Sequence, residues 1–186
     1  IGAMKYAQIA ALSTDQIAQV STGGIAQLST DQVKALTAAQ LGALSTSQIA
    51  AIETQDLVEL TAAQLKNLGS DSIKALTTSQ AAALTATQVA SLSANQIQAM
   101  ETQDLAKVST SGIQALTANQ VKALTTCQVQ NLTTDQITSL GSTQISSLTT
   151  DQVQSLTTTP VKSLTTDQTS ALTPAQIGAM TTDQMQ

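Results

Sequence analysis

Leu148-Thr149-Thr150-Asp151-Gln152-Val153-Gln154-Ser155 decides the fold, because the same eight-residue pattern runs through the whole chain. Leu, Ile, Val or Met stands at residues 4, 12, 20, 28, 36 and 44, and at every eighth position to Met180. A second apolar residue follows five places later, from Ile9, Ile17 and Ile25 to Ile177 and Met185, softened only at Ala81 and Thr169. With the octad lettered a–h from the first Leu, the unit reads Leu-(Ser/Thr)-x-x-Gln-(Ile/Val)-x-x. A fixed short period of this kind takes precedence over a single-domain reading. Residues 1–186 form one repeat array of about 23 octads.

Geometry separates the structures that could carry this period. A continuous helix turns roughly 100° per residue, so eight residues over-rotate by about 80° and smear a and f around the cylinder. In a strand, a and f lie at odd separation and point to opposite faces. Gln, Ala and Asp are also weak strand formers. A short capped helix accounts for each position. Ser or Thr at b with Gln three residues later is a capping box, and the apolar residues at a and f are the N′ and N4 partners of a hydrophobic staple. Asp15, Asp31, Asp135, Asp151, Asp167 and Asp183 at d fall at N2, where the positive end of the helix dipole favours a carboxylate. Pro174 at c falls at N1, which tolerates proline because its amide has no helical partner. Pro160 at e still lies in the first turn but forfeits a cap bond.

The expected fold is therefore all-α: a solenoid of N-capped helices six or seven residues long, one per octad, with a and f facing inward. Helices this short do not persist alone, so stacking on the neighbour one superhelical turn away must supply the stability. Small residues at h, such as Ala35, Ala43, Ser147 and Ser155, let the bends pack closely. The number of helices per turn rests on sequence echoes. Asp at d recurs at every second octad from Asp135 to Asp183, which suits two. Thr-Ala-Ala-Gln-Leu at 37–41 returns at 61–65, which suits three, and Glu-Thr-Gln-Asp-Leu at 53–57 returns at 101–105, which suits both. A narrow triangular core suits aliphatic side chains without aromatics, so roughly three per turn is expected.

Composition bears on function mainly by exclusion. The chain has no Trp, Phe or His, one Tyr and one Cys, and a net charge of -5. All seven basic residues are Lys, which argues against a nucleic-acid partner read by bidentate Arg contacts. No apolar run approaches the ~20 residues of a membrane span. Without His, the familiar metal clusters and nucleophilic triads have no members, and the acids are mostly single Asp residues dispersed over a lattice. The sequence points away from an enzyme and supplies no catalytic, cofactor-binding or metal-ligating residue.

The irregular octads read as structural drift. Glu53 and Glu101 replace the cap, with Asp56 and Asp104 at e, and an acid can still serve the first turn. Gly69 and Gly141 are acceptable caps. Gly24, Ser72 and Gly112 at e lose the reciprocal side-chain bond and mark weaker octads. Cys127 at d is expected to be an exposed free thiol, and Asn131-Leu132-Thr133 matches a glycosylation sequon. Neither end carries a polar capping module, so the array is expected to be a fragment of a longer one that associates end to end.

Tracts such as Ala43-Leu44-Ser45-Thr46-Ser47-Gln48-Ile49-Ala50-Ala51 resemble the Leu-(Ser/Thr)-x-x-Gln-(Ile/Val) octapeptide arrays of large bacterial exoproteins, adhesin-like, haemolysin-like or surface-associated. The resemblance covers the whole chain and implies a secreted or cell-surface setting. Two functions follow as expectations: an elongated spacer, stalk or scaffold whose length is set by repeat number, or a multivalent surface of repeated Thr and Asp that meets glycan, ice, mineral or cation. The d position varies among Asp, Ala, Ser, Gln, Thr, Asn and Cys, which favours the spacer.

Overall fold

A computed structural model describes residues 1–186. It contains 23 helices and no strand, one helix for each octad from Tyr6–Ala10 to Thr182–Met185. Each begins at c, one residue after the cap. The expected length of six or seven is slightly long: the helices run four to six residues, as in Thr54–Leu57, Ala38–Gly42 and Thr30–Ala35. The shortening comes from the corner, where a and b are both extended. Leu36 at φ -62°, ψ 127° and Thr37 at φ -69°, ψ 157° turn the chain between one helix and the next.

Where Ser or Thr at b meets Gln at e, the caps work as the sequence predicts. In the helix Ala38–Gly42, the Gln40 amide N–H donates to Thr37 Oγ1 at 3.2 Å, and the Thr37 N–H donates to Gln40 Oε1 at 2.7 Å. Pro174 sits in the first turn of Pro174–Ala179 without disturbing its cap. Pro160 is buried in Thr158–Lys162, whose capping box is missing.

Each helix packs on the one three places later in the chain, so Tyr6–Ala10 lies against Thr30–Ala35, and Ala86–Ser91 against Thr110–Gln114. Three helices, one from each of three successive octads, make one turn, and the coil has three columns of stacked helices. The f residues point to the axis and are nearly all at zero exposure, as at Leu41, Leu57, Ile97 and Ile137. The a residues close the corners and are almost as buried. Together they form one continuous core of 36 residues from Ile9 to Val161, with no aromatic among them. At ~1.5–3 kcal/mol for a buried aliphatic side chain against ~1 kcal/mol for a cap, burial holds the coil while caps set where it bends. Helix packing at ~8–10 Å makes about eight turns a rod on the order of 70 Å long.

Candidate functional site

The chemistry concentrated in this chain lies inside the coil, on the glutamines at e. A helix ends with carbonyls that have no helical donor and begins with amides that have no helical acceptor. At each corner the carbonyl of residue a also lacks a backbone donor. A primary amide offers one acceptor oxygen and two N–H donors, so a single side chain can serve both needs. Every e glutamine accepts the cap N–H of its own helix through Oε1, at 2.7–3.0 Å. In the fifteen from Gln32 onward, Nε2 also donates to the a carbonyl 28 residues earlier, at 2.6–3.0 Å.

Most of them make a further bond to the f carbonyl just before that corner. Gln96 Nε2 donates to Leu65 O at 2.9 Å and Leu68 O at 2.8 Å, and Gln168 Nε2 to Ile137 O and Leu140 O at 2.8 Å each. The same fifteen side chains are all buried. Each ties the start of one helix to the corner one turn below, and no buried side-chain polar atom is left without a partner. Gln8 and Gln16 stand in the first turn, keep only the cap bond, and are exposed. Capping-box logic explains Oε1 alone; the second role of the amide is missed by it.

The irregular octads resolve into distinct cases. Gly141 lacks a hydroxyl, yet Gln144 still accepts its N–H and still reaches Ile113 and Leu116. Glu53 and Glu101 do not serve the first turn as a cap; each carboxylate accepts instead from the side chain of Gln55 or Gln103, two residues on. Asp56 and Asp104 have no donor to offer the carbonyls beneath. Each accepts from a threonine hydroxyl of the helix below, Thr30 at 2.6 Å and Thr78 at 2.7 Å. Gly24, Ser72, Gly112 and Pro160 make no bond of this kind. Ala81 remains fully buried, whereas Thr169 is exposed and turns its hydroxyl back to Thr165 O at 3.0 Å.

On the outer surface the structure assembles little. Lys34 Nζ and Glu59 Oε2 form the one ion pair, at 2.9 Å, bridging neighbouring turns. The hydrogen bond to Glu59, then its charge, raises the Lys34 pKa above the ordinary lysine value. Both groups are about half exposed, so the pair contributes little. Cys127 is exposed and free, and Asn131 folds its amide onto Cys127 O at 2.8 Å. A depression of about 590 Å³ opens at the corner above Lys74 and is walled by Glu101, Gln103, Gln128 and Asn131. Its lining mixes a cation, a carboxylate and amides. No helix is long and apolar enough to cross a membrane.

Residues 19–46, 49–86, 97–134 and 131–158 match the sequence model of one family, described as the ALTTAQ repeat, and together span well over half of the chain. No curated protein matches the sequence. The family's six letters correspond to h through e of the octad, as in Ala75-Leu76-Thr77-Thr78-Ser79-Gln80. They run from the small residue at the bend, through the corner and cap, to the glutamine that fastens successive turns. The chain belongs to the ALTTAQ repeat family.

Proposed function

We propose that this array is a non-catalytic spacer, stalk or scaffold in a bacterial secreted or surface protein, setting a distance by its number of turns. One observation carries the reading: fifteen glutamines between Gln32 and Gln184 make the same tie to the corner 28 residues earlier. A turn with glutamine at each e repeats the same inner bonds and the same six aliphatic positions, so length grows without any new packing solution. The outer surface supports a spacer over a ligand-matching lattice. Down the column that starts at Tyr6–Ala10, the d residues are Ala7, Asp31, Gln55, Ser79, Gln103, Cys127, Asp151 and Ala175. A surface that matched a periodic ligand would repeat its chemistry at d as well; in this column Thr recurs at c from Thr30 to Thr150, but d does not repeat.

The chain taken by itself is also expected to associate end to end. One end presents the free Nε2 donors of Gln8 and Gln16, and the other the corner carbonyls of Leu164, Leu172 and Met180 with no glutamine above them. Tyr6, Ile177 and Met185 are exposed at these ends. Light scattering showing a strict monomer at high concentration removes this part of the proposal.

Small-angle scattering of arrays of different octad number tests the spacer directly. The maximum dimension should rise linearly, by about 8–10 Å for each three octads. Growth as the cube root of mass defeats the proposal.

A further inference from the structure

We infer that the coil carries a yield seam at residues 101–116, where it opens before the rest of its interior. Six octads lack glutamine at e, and they fall in three pairs, each separated by six octads: Gly24 and Ser72, Asp56 and Asp104, Gly112 and Pro160. Six octads are two turns, so each pair lies in one column with a glutamine between its members: Gln48, Gln80 and Gln136. In a column, an untied layer is never stacked directly on another. The one place where two consecutive octads both lack glutamine is Asp104 and Gly112. The turn over 101–124 is therefore held to the turn beneath by Gln120 and the Thr78–Asp104 bond. Leu76 O and Leu84 O receive no donor there. The helix Thr102–Leu105 is also among the shortest, at four residues.

The glycine at 112 is coupled to its own corner. Val stands at a only at Val20 and Val108, the two octads with Gly at e. A Cβ on Gly112 would lie 2.7 Å from Val108 Cγ1 and 3.3 Å from Val89 Cγ2. Valine methyls fill the space where the root of a glutamine would stand. At Gly112 apolar packing is kept while the directional bonds are removed, so opening the seam breaks only the Gln120 and Thr78–Asp104 bonds among its side-chain ties. The Gly112 octad itself can part and reseal without leaving a side-chain donor stranded. A rod with this seam bends or extends there first under load.

Hydrogen exchange of the full chain, read by mass spectrometry, tests the inference independently of the spacer proposal. Amides of Leu105, Val108, Ile113 and Leu116 should exchange at least tenfold faster than those of Ile137, Leu140, Ile145 and Leu148. Fraying from the ends works in the opposite sense, since 101–116 is the more central segment. In V108L/G112Q, which restores the leucine–glutamine pairing, Ile113 and Leu116 should slow at least fivefold. Equal rates in the native chain, or a folded V108L/G112Q with unchanged rates, overturns the seam. Should that variant not fold, the native comparison decides alone.

Discussion

Replacing Gln96 by Glu isolates what the amide nitrogen does. The side chain is buried, accepts the Ser93 N–H at 2.8 Å, and donates to Leu65 O and Leu68 O at 2.9 and 2.8 Å. Glutamate keeps the shape and the acceptor oxygen, and in an isolated helix it caps as well as glutamine. In the coil it loses both donors and sets a carboxylate against two carbonyl oxygens. Two hydrogen bonds at ~0.5–1.5 kcal/mol each, together with an uncompensated buried charge, place the cost at roughly 3–5 kcal/mol. Gln16→Glu is the matched control, because Gln16 is exposed in the first turn and has only the cap bond to Ser13, at 2.9 Å. Its cost should stay within about 0.5 kcal/mol. Urea unfolding followed by far-UV circular dichroism, comparing midpoints at constant slope, gives both values. In Gln96→Glu, burial raises the pKa of the introduced carboxyl in the folded state. The charge part of its penalty should therefore fade below about pH 4, where the carboxyl is protonated in both folded and unfolded forms, and should grow as pH rises towards the folded value. The single O–H of the protonated acid replaces only one of the two lost donors. Equal small costs for the two variants, or a Gln96→Glu penalty that ignores pH, refute the interturn role of the amide.

Deleting the whole octad 85–92 should leave a cooperative helical coil, since every later glutamine still meets an a carbonyl at its usual interval, whereas deleting seven residues from the same place should abolish cooperative melting. Thr85→Ala removes the 3.2 Å cap bond to the Gln88 N–H and should cost about 1 kcal/mol, while Leu92→Ala in the core should cost about 2–5 kcal/mol; a reversed order in chemical denaturation contradicts the dominance of burial over capping. Pro160→Gln restores a cap and offers donors to Val129 O and Leu132 O, and should stabilise by about 1–2 kcal/mol after the lost proline rigidity is counted, read as a raised urea midpoint. Glu59→Gln removes the partner that raises the Lys34 pKa. The pair's small contribution, present at neutral pH and lost only as pH rises through the raised lysine value, should leave the melting temperature at pH 7 nearly unchanged.

Much of this architecture can be read from residue types. Ser or Thr at b and apolar residues at a and f place the helix starts and the buried face, because capping and stapling are local and depend on spacing alone. Three helices per turn is visible in Thr-Ala-Ala-Gln-Leu recurring at 37–41 and 61–65, but only weakly, since pairing across turns depends on contacts no local rule reaches. The interturn tie is not legible from the capping box, which is satisfied by either Glu or Gln. The signal that could find it is the complete absence of Glu at e beside seventeen Gln. A position that needs only an acceptor admits both residues, and one that also needs donors admits only the amide. The pairing of Val20 with Gly24 and of Val108 with Gly112 is equally present in the sequence. Its meaning appears only where Val108 Cγ1 occupies the space of the missing Cβ.

If each glutamine amide fastens its helix to the corner one turn below, nuclear Overhauser contacts from the Nε2 protons, in chain labelled for NMR, register it most directly. Gln128, which donates to Ile97 O and Met100 O at 3.0 and 2.8 Å, should show contacts to residues 97 and 100. Its side-chain protons should exchange slowly, while those of Gln8 and Gln16 exchange freely. Contacts from Gln128 to the corners at Leu92 or Val108 instead, or fast exchange at all the glutamines alike, would contradict the three-helix, glutamine-tied coil.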